Sequence, residues 1–430
     1  MRDSRAARII EVLALASGVA FFAFCIGMAA GYFRWAPFNV AKQGIKAAQS
    51  LLAREDMYLI PRTVAGNGVT IASADPEATG YTFLTHYRDG GYGPTLIDAN
   101  GNVVHRWSIP YSKVWKNAPH LDYQGQDVSI MTIGAHLFPN GDVLVTYQGG
   151  NHPYGGGLVK IDRCSNVIWS LAENAHHWFT VTDSGELYVP TQRFHRDAVA
   201  VFPHLKAPFY EDFVTVVSPD GKKEKEISML KAIYDSGREA ILLANSALQP
   251  GVDQEDPLHL NDVDVLDEAT AKHFPIFAAG DILVSFREIN AIAVIDGQTD
   301  RIKWSMTGPF LRQHDPDFLP NGHILVFDNR PGEGGSRLLE IDPVTQAIVW
   351  EYRGSPDRKF YTSRSGNVSL LPNGNLLVVE SQSGRVFELT RDKKVVWEFI
   401  NGVNDKELGE VSTAQRISPK EATFVGQPCP

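Results

Sequence analysis

The chain has 430 residues, 43% of them hydrophobic, and a formal net charge of −10. That size allows a large buried core, and an acidic balance without a basic stripe excludes nucleic acid as a partner. The three cysteines (Cys25, Cys164, Cys429) include no Cys-x-x-Cys, which removes zinc-ribbon and thioredoxin-type sites; Cys164 and Cys429 are a possible disulfide only if the chain is exported.

Val12 to Phe33 is a run of 22 residues without a charge, after Arg2, Arg5 and Arg8 and before Arg34. A spanning helix needs about 20 apolar residues, whereas a cleaved signal peptide has an apolar core of roughly 7–15. Residues 1–34 therefore read as a transmembrane signal-anchor, although small residues at Ala29 and Ala30 leave cleavage open. Arg34, Lys42 and Lys46 nearly balance the three leading arginines, so charge leaves the orientation open. Residues 35–78 read as a partly helical linker, with Val40, Ile45, Ala48, Leu51 and Leu52 at roughly helical spacing.

From residue 79 to 430 the texture is short strands. Asn100–Gly101, Asn140–Gly141, Asn321–Gly322 and Asn373–Gly374 mark tight hairpins, because both residues tolerate positive φ. Each unit closes with an apolar strand ending in Asp or Thr, a turn, and a strand ending in Trp: Asp98 to Trp107, Asp162 to Trp169, Asp296 to Trp304, Asp342 to Trp350, Thr390 to Trp397. A copy without Trp runs from Ser218 to Met229. The last two Trp intervals are 46 and 47 residues, the length of a four-stranded propeller blade. The fold class is all-β: a six-bladed β-propeller with an N-terminal transmembrane helix. Its first blade needs a strand from Tyr81–Tyr87 or Gln415–Val425. A solenoid is the competing architecture, but irregular repeats and an incomplete first blade favour a closed ring.

Eight residues before each hairpin turn stands one column: Ile133, His177, His259, His314 and Gly366. Seven residues after the turn stands another: Gln148, Gln192, Arg287, Asn329 and Ser381. Eight residues down and seven back return the chain to its starting edge, so three histidines and a polar ring should share one rim. Arg287 should lie beside His259, with Asn261 on the same side of its strand. His176 or His177 points inward, and His177 is favoured. Gln192 and Asn329 are either site residues or strand-end caps. His136 should lie in its own strand, and His120, His152 and His195 in loops. The blade-end tryptophans should be core. Three histidines could bind a metal, and Asp262, Asp264 and Asp267 weakly suggest calcium, but there is no His-Glu-x-x-His, P-loop or dinucleotide fingerprint. Gly149–Gly157 reads as a blade loop.

Leu258-His-Leu-Asn-Asp262, Ser285-Phe-Arg287, Gln313-His-Asp-Pro-Asp-Phe-Leu-Pro-Asn-Gly322 with Val326-Phe-Asp-Asn329, Gly366 to Val378, Ser383-Gly-Arg-Val-Phe and Val395-Val-Trp-Glu398 resemble the bacterial arylsulfate sulfotransferase family (arylsulfotransferase, ASST) over roughly residues 130–400. The resemblance implies a six-bladed propeller that moves a sulfuryl group from a phenolic sulfate ester to another phenol without PAPS or any other cofactor. It implies His314 as the nucleophile that becomes a sulfohistidine. It implies His259, Asn261 and Arg287 as groups that hold the sulfate oxygens and assist proton transfer, and His177 as a further histidine of the site. The partners would be an aryl sulfate donor, a phenolic acceptor and the membrane, with the propeller in the periplasm or extracytoplasmic space. Larger members of that family carry an extra β-rich N-terminal domain, where this chain has the tether and linker. Two other readings compete: a non-catalytic propeller serving as a binding subunit of a membrane complex, and a metal-dependent propeller hydrolase.

Overall fold

The computed structural model describes residues 2–32, 41, 44–45, 48, 58–75, 79–121, 126–149, 155–244 and 255–429. The chain divides into two units, Met1–Ala53 and Arg54–Pro430.

In the first unit a helix spans Arg2–Tyr32. Its apolar stretch Ile10–Tyr32 is 23 residues, about 34 Å at about 1.5 Å per residue, enough to cross a hydrocarbon core of about 30 Å. Leu13, Leu15, Phe21 and Phe22 are all exposed. Most of the expected helical linker lies outside the described residues.

The second unit is a ring of six antiparallel sheets. Blade one joins the C-terminal strand Val411–Ile417 to Tyr81–Arg88, Gly91–Ile97 and Val103–Arg106. Both segments expected to complete this blade are therefore used, although 418–429 continues as turns. Gln415 pairs with Phe83, so the two ends of the ring lock in one sheet and Tyr81–Arg88 is paired on both sides. Blade two runs through Ile130–Leu137, Val143–Gly149, Gly155–Ile161 and Val167–Leu171. Blade three has Thr180–Val181, Leu187–His195, Phe209–Val217 and Lys223–Ser228. Blade four has Leu260–Val265, Ile282–Phe286, Ala291–Ile295 and Ile302–Thr307. Blade five has His314–Phe318, Ile324–Asp328, Arg337–Asp342 and Ala347–Tyr352. Blade six has Asn367–Leu370, Leu376–Glu380, Arg385–Leu389 and Val395–Ile400. Within the expected linker, Gly68–Ile71 is a strand that covers the outer edge of blade six, and Leu59–Pro61 pairs with Glu407–Gly409.

The middle strands are buried at nearly every position and mostly apolar, because each blade is covered on both faces. Successive side chains point to opposite faces. Ile282 and Val284 therefore join the core shared with blade three, and Leu283 joins the core shared with blade five. Likewise Ile324 and Val326 face blade four while Leu325 faces blade six. The blade-end tryptophans add a directional link. Trp107 Nε1 donates to the Gly141 carbonyl at 3.0 Å, Trp304 to Pro343 at 3.0 Å and Trp397 to Ala99 at 3.1 Å, each in the next blade. Trp169 and Trp350 do the same while only half-buried, so they latch neighbouring blades rather than fill core. Two other expectations need correcting. His195 ends a strand, where Glu211 bonds its ring, and Gly155–Gly157 are strand, not loop, with bare Cα atoms against Tyr147 and Trp115.

Cys164 and Cys429 form a disulfide, with Cα atoms 5.5 Å apart, that ties the C-terminal tail to the last hairpin of blade two. Cys25 is exposed on the N-terminal helix.

Candidate active site

The two columns meet on one rim. The Arg287 amide donates to the His259 carbonyl at 3.2 Å, closing the blade-four hairpin where the counting placed it. The His177 and His259 rings meet edge to face with centroids 4.8 Å apart. Trp178 packs edge-on to His314 at 5.9 Å. His177, His259 and His314 are all buried. Their blades bring them together by using strained backbone. His177 and His259 have φ of +55° and +54°, and Gly366 in the same column has +116°. In blade five the left-handed residues are Arg312 and Asp315, flanking His314. Such conformations cost about 1–3 kcal/mol each in a residue other than glycine, and they cluster where a side chain must be aimed.

His314 is held most completely. Asn329 donates both amide hydrogens to backbone carbonyls, Thr362 at 3.0 Å and Ser365 at 2.6 Å. Its side-chain oxygen is therefore the atom that faces His314 Nδ1 at 2.6 Å, and the Arg312 carbonyl stands 3.1 Å from the same nitrogen. Both partners only accept, so Nδ1 carries the proton and Nε2 keeps its lone pair. Burial, reinforced by the Arg287 charge, lowers the His314 pKa to about 3. The ring is neutral at pH 7.

His259 bonds through Nδ1 to the Asp256 carboxylate, and its backbone amide donates to Asp256 at 3.1 Å. Burial comes first, then Arg287, in holding its imidazole well below the ordinary value. Asp256 was not foreseen, although an Asp three residues before a His is a visible spacing. Arg287 is pinned by Nε to Glu288 Oε1 at 3.1 Å, and Arg312 takes Glu288 Oε2 at 3.0 Å. One buried carboxylate thus orients two guanidinium groups, neither Glu288 nor Arg312 being visible in the column pattern. Asn261 donates to the Gln313 carbonyl at 2.8 Å, bracing the peptide before His314. Gln313 is anchored in turn to the Ala291 carbonyl at 2.8 Å.

Both His176 and His177 are buried. His177 is the one against His259, and its carbonyl accepts from Thr146 Oγ1 of blade two at 2.7 Å. His176 stands behind it, Nδ1 to Nδ1 at 2.7 Å. Gln192 stands opposite Asp212 on the neighbouring strand, beside this pair. Gln148 lies at the end of its strand in blade two, and Ser381 opens a turn in blade six. His136 lies in the first strand of blade two, His120 in a turn, and His152 outside the described residues.

The acidic set separates. Asp267 caps a short helix, accepting from Ala269 and Thr270 amides at 2.8 and 2.9 Å. Asp262 and Asp264 instead face Asp315 and Asp317 across blades four and five, and burial raises all four pKa values. Among the described residues no three His, Cys, Asp or Glu side chains are arranged to hold a metal ion.

Residues 134–402 match the family model described as "Arylsulfotransferase (ASST)". No curated protein matches the chain. Solved structures are similar to the chain at low identity. A Bacteroides caccae protein of unknown function is 12% identical, over 78% of this chain and 97% of its own, with a TM-score of 0.49. Virginiamycin B lyase from Staphylococcus aureus is 11% identical, over 83% and 98%, with a TM-score of 0.41. The Dos1 propeller is 10% identical, over 81% and 77%, with a TM-score of 0.38. The family match spans more than half of the sequence and takes in His177, His259 and His314, so this chain belongs to the arylsulfotransferase (ASST) family.

Proposed function

We propose that the protein is a PAPS-independent arylsulfotransferase that passes a sulfuryl group from a phenolic sulfate ester to a phenolic acceptor through a sulfohistidine at His314. The observation that carries this is the tautomer of His314. Two acceptors hold its Nδ1 proton, which leaves Nε2 as a neutral nucleophile in a buried site. In the first half-reaction Nε2 attacks sulfur, the N–S bond forms and the S–O bond to the aryl group breaks. In the second the acceptor oxygen attacks, and the N–S bond breaks. Arg287, His259 and Asn261 hold the sulfuryl oxygens and assist proton transfer. A fixed donor to developing charge is typically worth about 2.7–4 kcal/mol. The bound ester is an anion, and its charge offsets the Arg287 guanidinium, which after burial is the next cause that depresses the His259 pKa. His177 completes the site against His259.

The chain is proposed to be a signal-anchor (1–34), a linker (35–78) and the propeller (79–430). The propeller is placed outside the cytoplasm, in the periplasm or its equivalent. The Cys164–Cys429 disulfide supports that side, because disulfides persist in oxidising compartments.

The test is release of a chromogenic phenol from its sulfate ester, with and without a second phenol, by the wild type and His314→Ala. Acceptor-stimulated release that vanishes in the variant, with a sulfuryl mass gain on His314 in the wild type, is the expected result. Release that survives His314→Ala overturns the nucleophile assignment. No release from folded protein across several donors favours a binding propeller.

A further inference from the structure

His177 reaches the site, but His176 behind it has no part in the steps above. His176 and His177 face each other Nδ1 to Nδ1 at 2.7 Å. Two imidazole nitrogens at that distance share one proton, so one ring donates and the other accepts. On its far side His176 Nε2 faces Asp212 Oδ1 at 3.7 Å, with both side chains buried and neither atom hydrogen-bonded elsewhere, so a shift of a few tenths of an ångström closes the link. Asp212 is itself held by the Leu260 amide, which donates to Oδ2 at 3.1 Å. The order Asp212, His176, His177 thus runs from a buried carboxyl in the third blade to the site.

Resting on the transferase reading, we propose that Asp212, His176 and His177 form a proton relay that protonates the leaving phenolate and later deprotonates the acceptor phenol. The chain has two complementary states. With Asp212 ionised, His176 carries its proton on Nε2 and accepts at Nδ1 from His177, whose Nε2 is then a bare base. With Asp212 protonated, its proton bonds His176 Nε2, His176 donates from Nδ1, and His177 carries a proton on Nε2 as an acid. In the donor half-reaction His177 Nε2 gives a proton to the departing phenolate, and each ring shifts one proton, leaving Asp212 ionised. In the acceptor half-reaction the phenol O–H breaks, its proton goes to His177 Nε2, and Asp212 regains one. The two half-reactions cancel, so the relay needs no exchange with bulk water.

The surroundings suit both states. His177 is faced by His259, His314 and Arg287, which disfavour a second charge on it. His176 is faced by Asp256 and by the Thr191 carbonyl, both of which favour an N–H. Burial, then Asp256 and Glu211, raise the Asp212 pKa well above the ordinary range, while the Leu260 amide and Gln192 oppose. A carboxyl so placed can hold a proton near neutral pH. His176 and Asp212 act through His177, so they are positioning residues.

The experiment compares the wild type with Asp212→Asn, which retains an oxygen for the Leu260 amide, and with His176→Gln. Phenol release is followed for donors whose phenols differ in acidity. For poorly acidic phenols kcat should fall at least about 100-fold, with KM little changed, while release of an acidic nitrophenol stays near wild type. The dependence of rate on leaving-group pKa should therefore steepen in both variants. An unchanged dependence in folded variants overturns the proposal. A second arm is independent of turnover: nitrogen NMR of histidine-labelled protein. Both rings should exchange their protonated nitrogen together in one titration, and Asp212→Asn should abolish it. Separate titrations, or the same titration in Asp212→Asn, overturn the relay even if the protein transfers no sulfuryl group. A wild type without phenol release but with the joint titration overturns the transferase reading and leaves the proton chain standing.

Discussion

The Asn329 side-chain oxygen accepts from His314 Nδ1 at 2.6 Å, and its amide nitrogen is committed to two carbonyls approaching blade six. The bond therefore runs one way only, and a residue fifteen positions along the chain helps decide which nitrogen of His314 keeps its lone pair. Asn329→Leu removes the shorter of the two acceptors and leaves only the Arg312 carbonyl. Sulfo-enzyme formation, read as the burst of phenol, should fall by between about 100-fold and 10,000-fold, the range for histidines that lose their orienting partner. Asn329→Asp keeps the acceptor and adds a negative charge, which raises the His314 pKa above about 3. Its burst should therefore fail on acidification at a higher pH than that of the wild type. A wild-type burst in Asn329→Leu would show that the tautomer is set elsewhere.

Gly134 touches the back of the site. A Cβ built there would stand 2.3 Å from the His177 carbonyl and 2.8 Å from Thr146 Oγ1. Gly134→Ala should push the left-handed His177 backbone off its position at a cost of about 1–3 kcal/mol. Thermal unfolding should report the loss, and kcat/KM should fall by more than stability explains.

The four carboxyls of blades four and five give a pH signature. Burial raises the Asp315 pKa from 3.8 to about 7 and the Asp264 pKa to about 6, and raises Asp317 well above 3.8. The folded state holds these protons where the unfolded chain has released them, so this set loses stability as pH rises from about 4 to about 7. Asp317→Asn removes one titrating member. Its melting temperature should gain on the wild type progressively as the pH rises above about 4. A difference independent of pH would show that Asp317 is ionised in the fold.

The Cys164–Cys429 link closes a sequence separation of 265 residues. Its loss through Cys164→Ser should cost about 2–4 kcal/mol. A reductant should lower the melting temperature of the wild type but not of the variant. Equal sensitivity in both would mean the pair is not joined in solution.

The sequence by itself determined the repeat. Alternating apolar strands, Asn-Gly turns and blade-end tryptophans specify six sheets through local rules of period and φ, and the same counting placed His177, His259, His314 and Arg287 on one rim. Tertiary structure alone decided what those residues are bonded to. Val411–Ile417 completes a blade begun at Tyr81, and Gly68–Ile71 covers a blade more than three hundred residues later, because edge strands must be paired and pairing ignores distance along the chain. Asp212 reaches His176 from the third strand of their blade, and Asn329 reaches His314 from the end of the adjacent strand, each by folding back within its own blade. A hydrogen bond depends on direction and on burial that removes water as a competitor. Neither is present until the blades pack, so a sequence can name the histidines but only the closed ring sets their protons.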